Sequence, residues 1–411
     1  MNPIPLLIKN SNFSPFTFYN DFIKDISSFY KKNENQKIEF SLVIESDIET
    51  IKNSYHIDPI TLPLLLSLTQ QLSKFHKSPI KLYLSNTPGT IDVLEFLYRS
   101  DFFFLIGSNT NPCFPIGKDI FEFNDAYLGG FKGKKQRVEH KIRCYSLQDD
   151  NLMQKIEHLE NDESKRDYLV EYYIFKVKEH FSILLNENEY TELLVNDFVE
   201  ILSELITNGV IHSMSDTFAL MFSDRYKTKF SISDNGIGLY NSLCKKTNNH
   251  FYTKFEILNL LSTKLNLKIP DNIRISLLSI FETLYYSMIK ERQGLFDLMC
   301  KVVINCNGYF RLHNDNAQIV VSSRMLKELE PLYVLRKKIL DTHNRFLFKQ
   351  TLENVYFDEM RGQAVEGKKL IEKLADSIFK KYNEDTRFSS IRLFEVKFRG
   401  VHIEVEIPNT Y

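Results

Sequence analysis

Glutamate, asparagine and histidine recur every four residues, as Glu204, Asn208 and His212, along the segment TELLVNDFVEILSELITNGVIH (Thr191–His212). This spacing, together with the segment directly after it, constrains the fold more than any other feature. Leu194, Phe198, Ile201, Leu202 and Leu205 fall at intervals of three and four, which predicts an amphipathic helix with one buried face. Side chains four apart stack along one stripe of a helix, so a polar row runs beside the apolar face and needs a partner. The next segment offers one. Thr217–Phe222 and Lys229–Ser233 read as two strands joined by a turn around Ser223-Asp224-Arg225, and they end in Ser233-Asp234-Asn235-Gly236-Ile237-Gly238-Leu239. An aspartate at a strand end, followed by Gly-x-Gly, supplies a carboxylate and a backbone able to approach a flat ring closely. Further on, Gln293-Gly294-Leu295 opens a predicted helix, Phe296–Ile304, whose first amides are placed to face phosphate oxygens. Asn305–Gly308 ends it, and Tyr309–His313 with Gln318–Val321 predicts a hairpin.

The E-x-x-x-N-x-x-x-H helix, the D-N-G-I-G-L loop, the Gly-Leu helix start and the closing hairpin resemble, in content and order, the GHKL family of gyrase, heat-shock chaperone, histidine-kinase and mismatch-repair ATPases. The resemblance implies an α+β two-layer sandwich, the Bergerat fold, that binds ATP with Mg²⁺. Position by position, it implies that Asp234 bonds the adenine amino group and that Gly236 and Gly238 let the backbone close over the base. Asn208 would hold Mg²⁺ through its amide oxygen. Glu204 stands where gyrase-like members carry the general base, and His212, Gly294 and Leu295 fall at the phosphates. The family's second glycine box reads Gly-x-Gly-Leu, whereas here it is Arg292-Gln293-Gly294-Leu295. Arg292 is read as pointing to solvent, with a γ-phosphate contact as the alternative.

Upstream, Lys37–Glu45 and Pro79–Leu84 read as strands, Leu62–Phe75 and Ile91–Tyr98 as helices, and Phe102–Ile106 is apolar again. This order resembles a STAS domain, the fold of anti-sigma-factor antagonists, and implies a small α/β domain over residues 1–128. Its phosphorylatable members read Asp-Ser-(Ser/Thr)-Gly where this chain has Asp58-Pro59-Ile60-Thr61. Without the serine, the resemblance implies a docking module. A linker at 129–150 comes next, with the basic run Lys132-Gly133-Lys134-Lys135-Gln136-Arg137 and a strand candidate, Val138–Tyr145. The run carries glycines and only Phe131 for stacking, so it reads as solvated chain rather than a nucleic-acid contact. The ATP-binding domain is expected over 151–411. Asn151 to about Leu185 reads as helix, with Tyr168, Tyr172, Phe175, Lys178 and Ser182 on one face that packs on a neighbour. Tyr240–Glu291 is read as a lid over the phosphates, with helices at Phe255–Leu265 and Ile273–Lys290. The stretch 323–389, helical at Arg324–Lys349 and Gly367–Lys381, is read as a partner-facing insertion, and Arg399–Pro408 as the closing strand.

With 52 basic against 53 acidic residues, no global field draws the chain to nucleic acid or acidic membrane. Cys113, Cys144, Cys244, Cys300 and Cys306 form no CxxC pair, so zinc is not expected and a reducing cytoplasm is. No secretory leader and no run of eighteen apolar residues stands in the sequence. The expected protein is a cytoplasmic, ATP- and Mg²⁺-binding GHKL protein that turns ATP over slowly as a conformational switch. An anti-sigma-type Ser/Thr kinase and a non-hydrolysing ATP scaffold are the alternatives. Its expected partners are a protein docked on the STAS-like domain or on 323–389, and a second copy of the chain.

Overall fold

The computed structural model describes residues 2–34, 36–44, 55–107, 117–131, 140–213, 216–265, 267–382 and 389–409, apart from the side chains of 212 and 213. The basic run at 132–137, Cys113 and the side chain of His212 lie outside the described residues. The chain divides into two units. One is Met1–Ser146 with Asp216–Phe222 and Phe230–Asn235; the other is Leu147–Ser215 with Ser223–Lys229 and Gly236–Tyr411.

In the first unit the strands are β1 (Ile4–Pro5), β2 (Asn12–Phe13), β3 (Glu39–Ser41), β4 (His56–Ile57), β5 (Ile80–Tyr83) and β6 (Phe121–Phe123). β1, β3, β5 and β6 form a parallel sheet in that order, and β2 pairs with β4. The Thr61–His76 helix is buried on every side over Thr61–Gln70, as a segment reading TLPLLLSLTQ dictates when no face is reserved for water. Thr61 is itself buried, its hydroxyl donating to the Phe13 carbonyl at 3.2 Å. Phe102–Ile106 is a short helix, and the fourth strand is Phe121–Phe123, which carried no sequence signal beyond two phenylalanines. β7 (Arg143–Tyr145), shorter than the expected Val138–Tyr145, pairs antiparallel with β8 (Thr217–Ser223), Tyr145 opposite Thr217. β9 (Lys227–Asp234) comes after a tight turn in which Asp224 accepts from the amides of Tyr226 and Lys227, at 2.8 and 3.0 Å.

The second unit is built on a long antiparallel pair, β10 (Tyr309–Val321) and β11 (Ile391–Pro408). The expected hairpin at 309–321 is instead one bulged strand. Its register shifts between Asn314 and Ala317, and Asp315 takes a φ of +53°. A bulge absorbs the polar Asn314-Asp315-Asn316 run that a sequence reading takes for a turn. The Asp271–Ile289 helix lies on β10, with Asn314 donating to the Ser276 carbonyl at 2.8 Å.

Two long helices, Leu326–Leu347 and Glu353–Lys381, connect β10 to β11. They are part of this unit's core: Leu329, Leu332, Leu335, Ile339, Met360, Ile371, Leu374 and Ile378 are all buried. Val334, Leu347 and Val365 on these helices, and Phe348 and Leu352 at the turn between them, are exposed. Among the described residues, no helix is long and apolar enough to cross a membrane.

Candidate functional site

Asn161 caps the Asp162–Asn186 helix by accepting from the Ser164 amide at 2.8 Å, with Asp162 and Glu163 complementing the dipole in its first turn. The buried stripe of this helix is Leu169, Tyr173, Val177, Phe181 and Leu184. It is not the expected stripe of Tyr168, Tyr172 and Phe175, where Phe175 is 69% exposed. Both stripes have helical spacing, and the uniformly apolar one wins the core. That choice packs the helix against Val195–Ser213, whose Phe198, Ile201, Leu202 and Leu205 are buried as their spacing predicts.

The same rotation brings Arg166 onto the polar stripe. Arg166 forms an ion pair with Glu204, which is only 5% exposed, and its Nη2 donates to Asn208 Oδ1 at 3.1 Å. A buried carboxylate on a helix demands a cation, and the guanidinium fork supplies one group that serves both acceptors. Among the described residues, the Nε–H of Arg166 is buried with no hydrogen-bond partner.

Arg166 and Asn208 line a cavity of about 830 Å³, together with Lys246, Tyr286, Lys290 and Arg292. The ammonium groups of Lys290 and Lys246 lie over the Tyr286 ring, at 4.6 and 5.8 Å from its centroid. Burial pushes the Lys290 amine down to about 6, and the neighbouring charges of Arg166, Lys246 and Arg292 push the same way. Burial and the charge of Arg166 also lower Lys246. Glu157, Asp162, Glu163 and Glu291 line the cavity as well, but all four are exposed, where water and salt screen them. The cations therefore sit deeper than the acids.

Of the residues singled out from sequence, Glu204 and Asn208 meet on one guanidinium, and Arg292 lines the same cavity. Arg292 neither points freely to solvent nor stands alone, because it is ion-paired with Asp167. Gly294 and Leu295 begin a six-residue helix, Leu295–Cys300, that is wholly buried. Two amides at its start are already satisfied: the N-cap Gly294 donates to Asp297 Oδ2 at 2.9 Å and Phe296 to Ser287 Oγ at 3.1 Å. Arg336, 1% exposed, bonds both Asp297 carboxylate oxygens at 2.9 Å and the carbonyls of Met288, Lys290 and Arg292. It thereby fixes the backbone that carries two of the cavity's cations.

Gly238 meets the bulge of β10. Gly238 takes a φ of +76°, and a Cβ there would stand 2.9 Å from Asp315 Oδ2. Leu239 donates to Asn314 Oδ1 at 2.9 Å, and Arg399 to the Gly236 carbonyl at 3.1 Å. Asp234 belongs to the first unit, where its carbonyl accepts from Ser67 at 3.3 Å, and Asn235 is buried among Ser67, Gln70 and Gln71.

Sequence reasoning passed over Arg166, Lys246 and Lys290. Each sits in a charged or mixed stretch of the kind that ordinarily faces water, and only their convergence sets them apart.

Mg²⁺ requires oxygen ligands in octahedral array. Among the described residues, no group of three or more His, Cys, Asp and Glu side chains is placed to hold a metal ion. The two candidate oxygens, on Glu204 and Asn208, are both engaged by Arg166, so the residues present are arranged around a guanidinium and do not fit a metal as they stand. The four described cysteines are free thiols. No protein-family model matches the chain, and no curated protein or solved structure matches it either.

Proposed function

We propose that this protein binds ATP, with the triphosphate held in the cavity beside Glu204 and Asn208, and acts as a conformational switch in which nucleotide is retained far longer than it is turned over. The observation that carries the reading is the convergence of Arg166, Lys246, Lys290 and Arg292 on one cavity. Arg166 and Arg292 are ion-paired, and burial beside such charges holds the Lys290 and Lys246 amines down, a penalty that a bound polyanion relieves. The cavity's volume lies within the range of small-molecule sites. The choice of ATP among polyanions rests on the resemblance of the E-x-x-x-N helix and the D-x-G-x-G loop to the GHKL pattern. The same resemblance supports an α+β sandwich of Bergerat type, a STAS-like docking module ahead of it and a cytoplasmic setting.

The ion pair between Glu204 and Arg166 favours the slow or non-hydrolysing form of this reading. A carboxylate already engaged by a guanidinium is not free to take a proton from an attacking water.

Purified protein incubated with γ-labelled ATP separates the alternatives. Retained ATP with little free phosphate supports the switch or scaffold, labelled protein indicates a kinase of anti-sigma type, and rapid phosphate release indicates an efficient ATPase. Absence of any ATP binding by calorimetry overturns the proposal.

A further inference from the structure

We infer that Arg166 is the resident cation of this site, standing where a nucleotide-bound divalent metal would otherwise be required, so that the cavity takes up ATP without magnesium. The inference rests on the nucleotide reading of this cavity and deepens it.

Three observations carry it. First, the two oxygens best placed to ligate a metal, the Glu204 carboxylate and Asn208 Oδ1, are both taken by one guanidinium, which is protonated at any workable pH. Second, Glu204 is buried, so its charge is balanced within the fold and does not await an ion from solution. Third, the Nε–H of Arg166 is a buried donor with no partner among the described residues, and the side chain lines the cavity. An unused donor on a fixed cation is suited to a phosphate oxygen, to which arginine binds with directional, charge-assisted bonds. Lys246, Lys290 and Arg292 supply the further positive charge that a metal would bring to a triphosphate. A second cation placed against Asn208 would meet the permanent charges of Arg166 and Arg292 and would first have to displace Arg166. Mg²⁺, which sheds its water reluctantly, is poorly equipped for that exchange.

The test measures ATP affinity by calorimetry with magnesium chloride or with excess EDTA, and Mn²⁺ uptake by the ATP-free protein by electron paramagnetic resonance. Wild type is expected to bind ATP within about threefold under the two conditions, less than the tenfold that one lost charge-assisted hydrogen bond produces. It is expected to take up no Mn²⁺. R166Q is expected to lose about ten- to a hundredfold in ATP affinity in EDTA. It is also expected to gain a Mn²⁺ site that R166Q/E204Q lacks. A tenfold or greater loss of wild-type affinity in EDTA overturns the inference, as does Mn²⁺ bound by ATP-free wild type. The wild-type measurements decide the matter even if R166Q does not fold. If no protein binds ATP, yet R166Q takes up Mn²⁺ and wild type does not, the resident-cation assignment stands and the nucleotide reading falls.

Discussion

Replacing Lys290 by methionine should remove close to one proton from the uptake that accompanies ATP binding at pH 8. An ordinary lysine amine titrates near 10.4, whereas burial and the charges of Arg166, Lys246 and Arg292 bring Lys290 down to about 6, with Glu291 opposing them. At pH 8 only about one molecule in a hundred of the unliganded protein then carries the proton. A bound triphosphate reverses the balance, because the protonated amine gains an anionic partner, so binding at pH 8 takes up close to one proton. Affinity should fall about tenfold per pH unit upward from about 6 until the bound-state value is reached. In the absence of ligand the sign is opposite. The folded state binds fewer protons than the unfolded chain between about 6 and 10.4, so stability rises with pH across that window, by at most about 1.4 kcal/mol per unit. K290M removes the Lys290 share of both effects, and its stability advantage over wild type should be largest below pH 6 and vanish near pH 10. Calorimetry in buffers of different ionisation enthalpy, at pH 8 where ATP itself no longer titrates, reads the proton uptake directly. Equal uptake by wild type and K290M would refute the assignment of Lys290 to the phosphate site.

Arg336→Met should cost about 3–5 kcal/mol, since it leaves Asp297 buried without its ion pair and orphans three carbonyls. Urea unfolding followed by tyrosine fluorescence, which no tryptophan obscures, measures it, and a cost below 1 kcal/mol would show that the clamp is incidental. R336M/D297N should recover part of the loss, because the unpaired charge goes with the second change. Gly238→Ala forces a Cβ at φ +76° to within 2.9 Å of Asp315 and should destabilise by about 1–3 kcal/mol; an unchanged midpoint would mean that the β10 bulge yields freely.

Much of the local structure was legible in the sequence because it is written in local periodicity. The helices Thr61–His76, Ile91–Arg99, Glu256–Leu265 and Asp271–Ile289, and the strand pair before Asp234, fall where apolar spacing and turn residues place them. The spacing of Glu204 and Asn208 also identified two residues that share one partner. What local pattern could not decide was which of two equally helical stripes on Asp162–Asn186 turns inward, and hence that Arg166 is that partner. Nor could it show that the helices after residue 323 complete a core, because their apolar faces are satisfied only by the Asp271–Ile289 helix and its neighbours. The polar run at Asn314–Asn316 reads as a turn until a bulged strand pairs with β11. Lys246, Lys290 and Arg292 are ordinary surface charges in any window of ten residues. The sequence by itself determined which segments form helices and strands and which polar groups share a helix face. Only the tertiary structure decided that four cations meet in one cavity, because electrostatic energy depends on distance through space and not on separation along the chain.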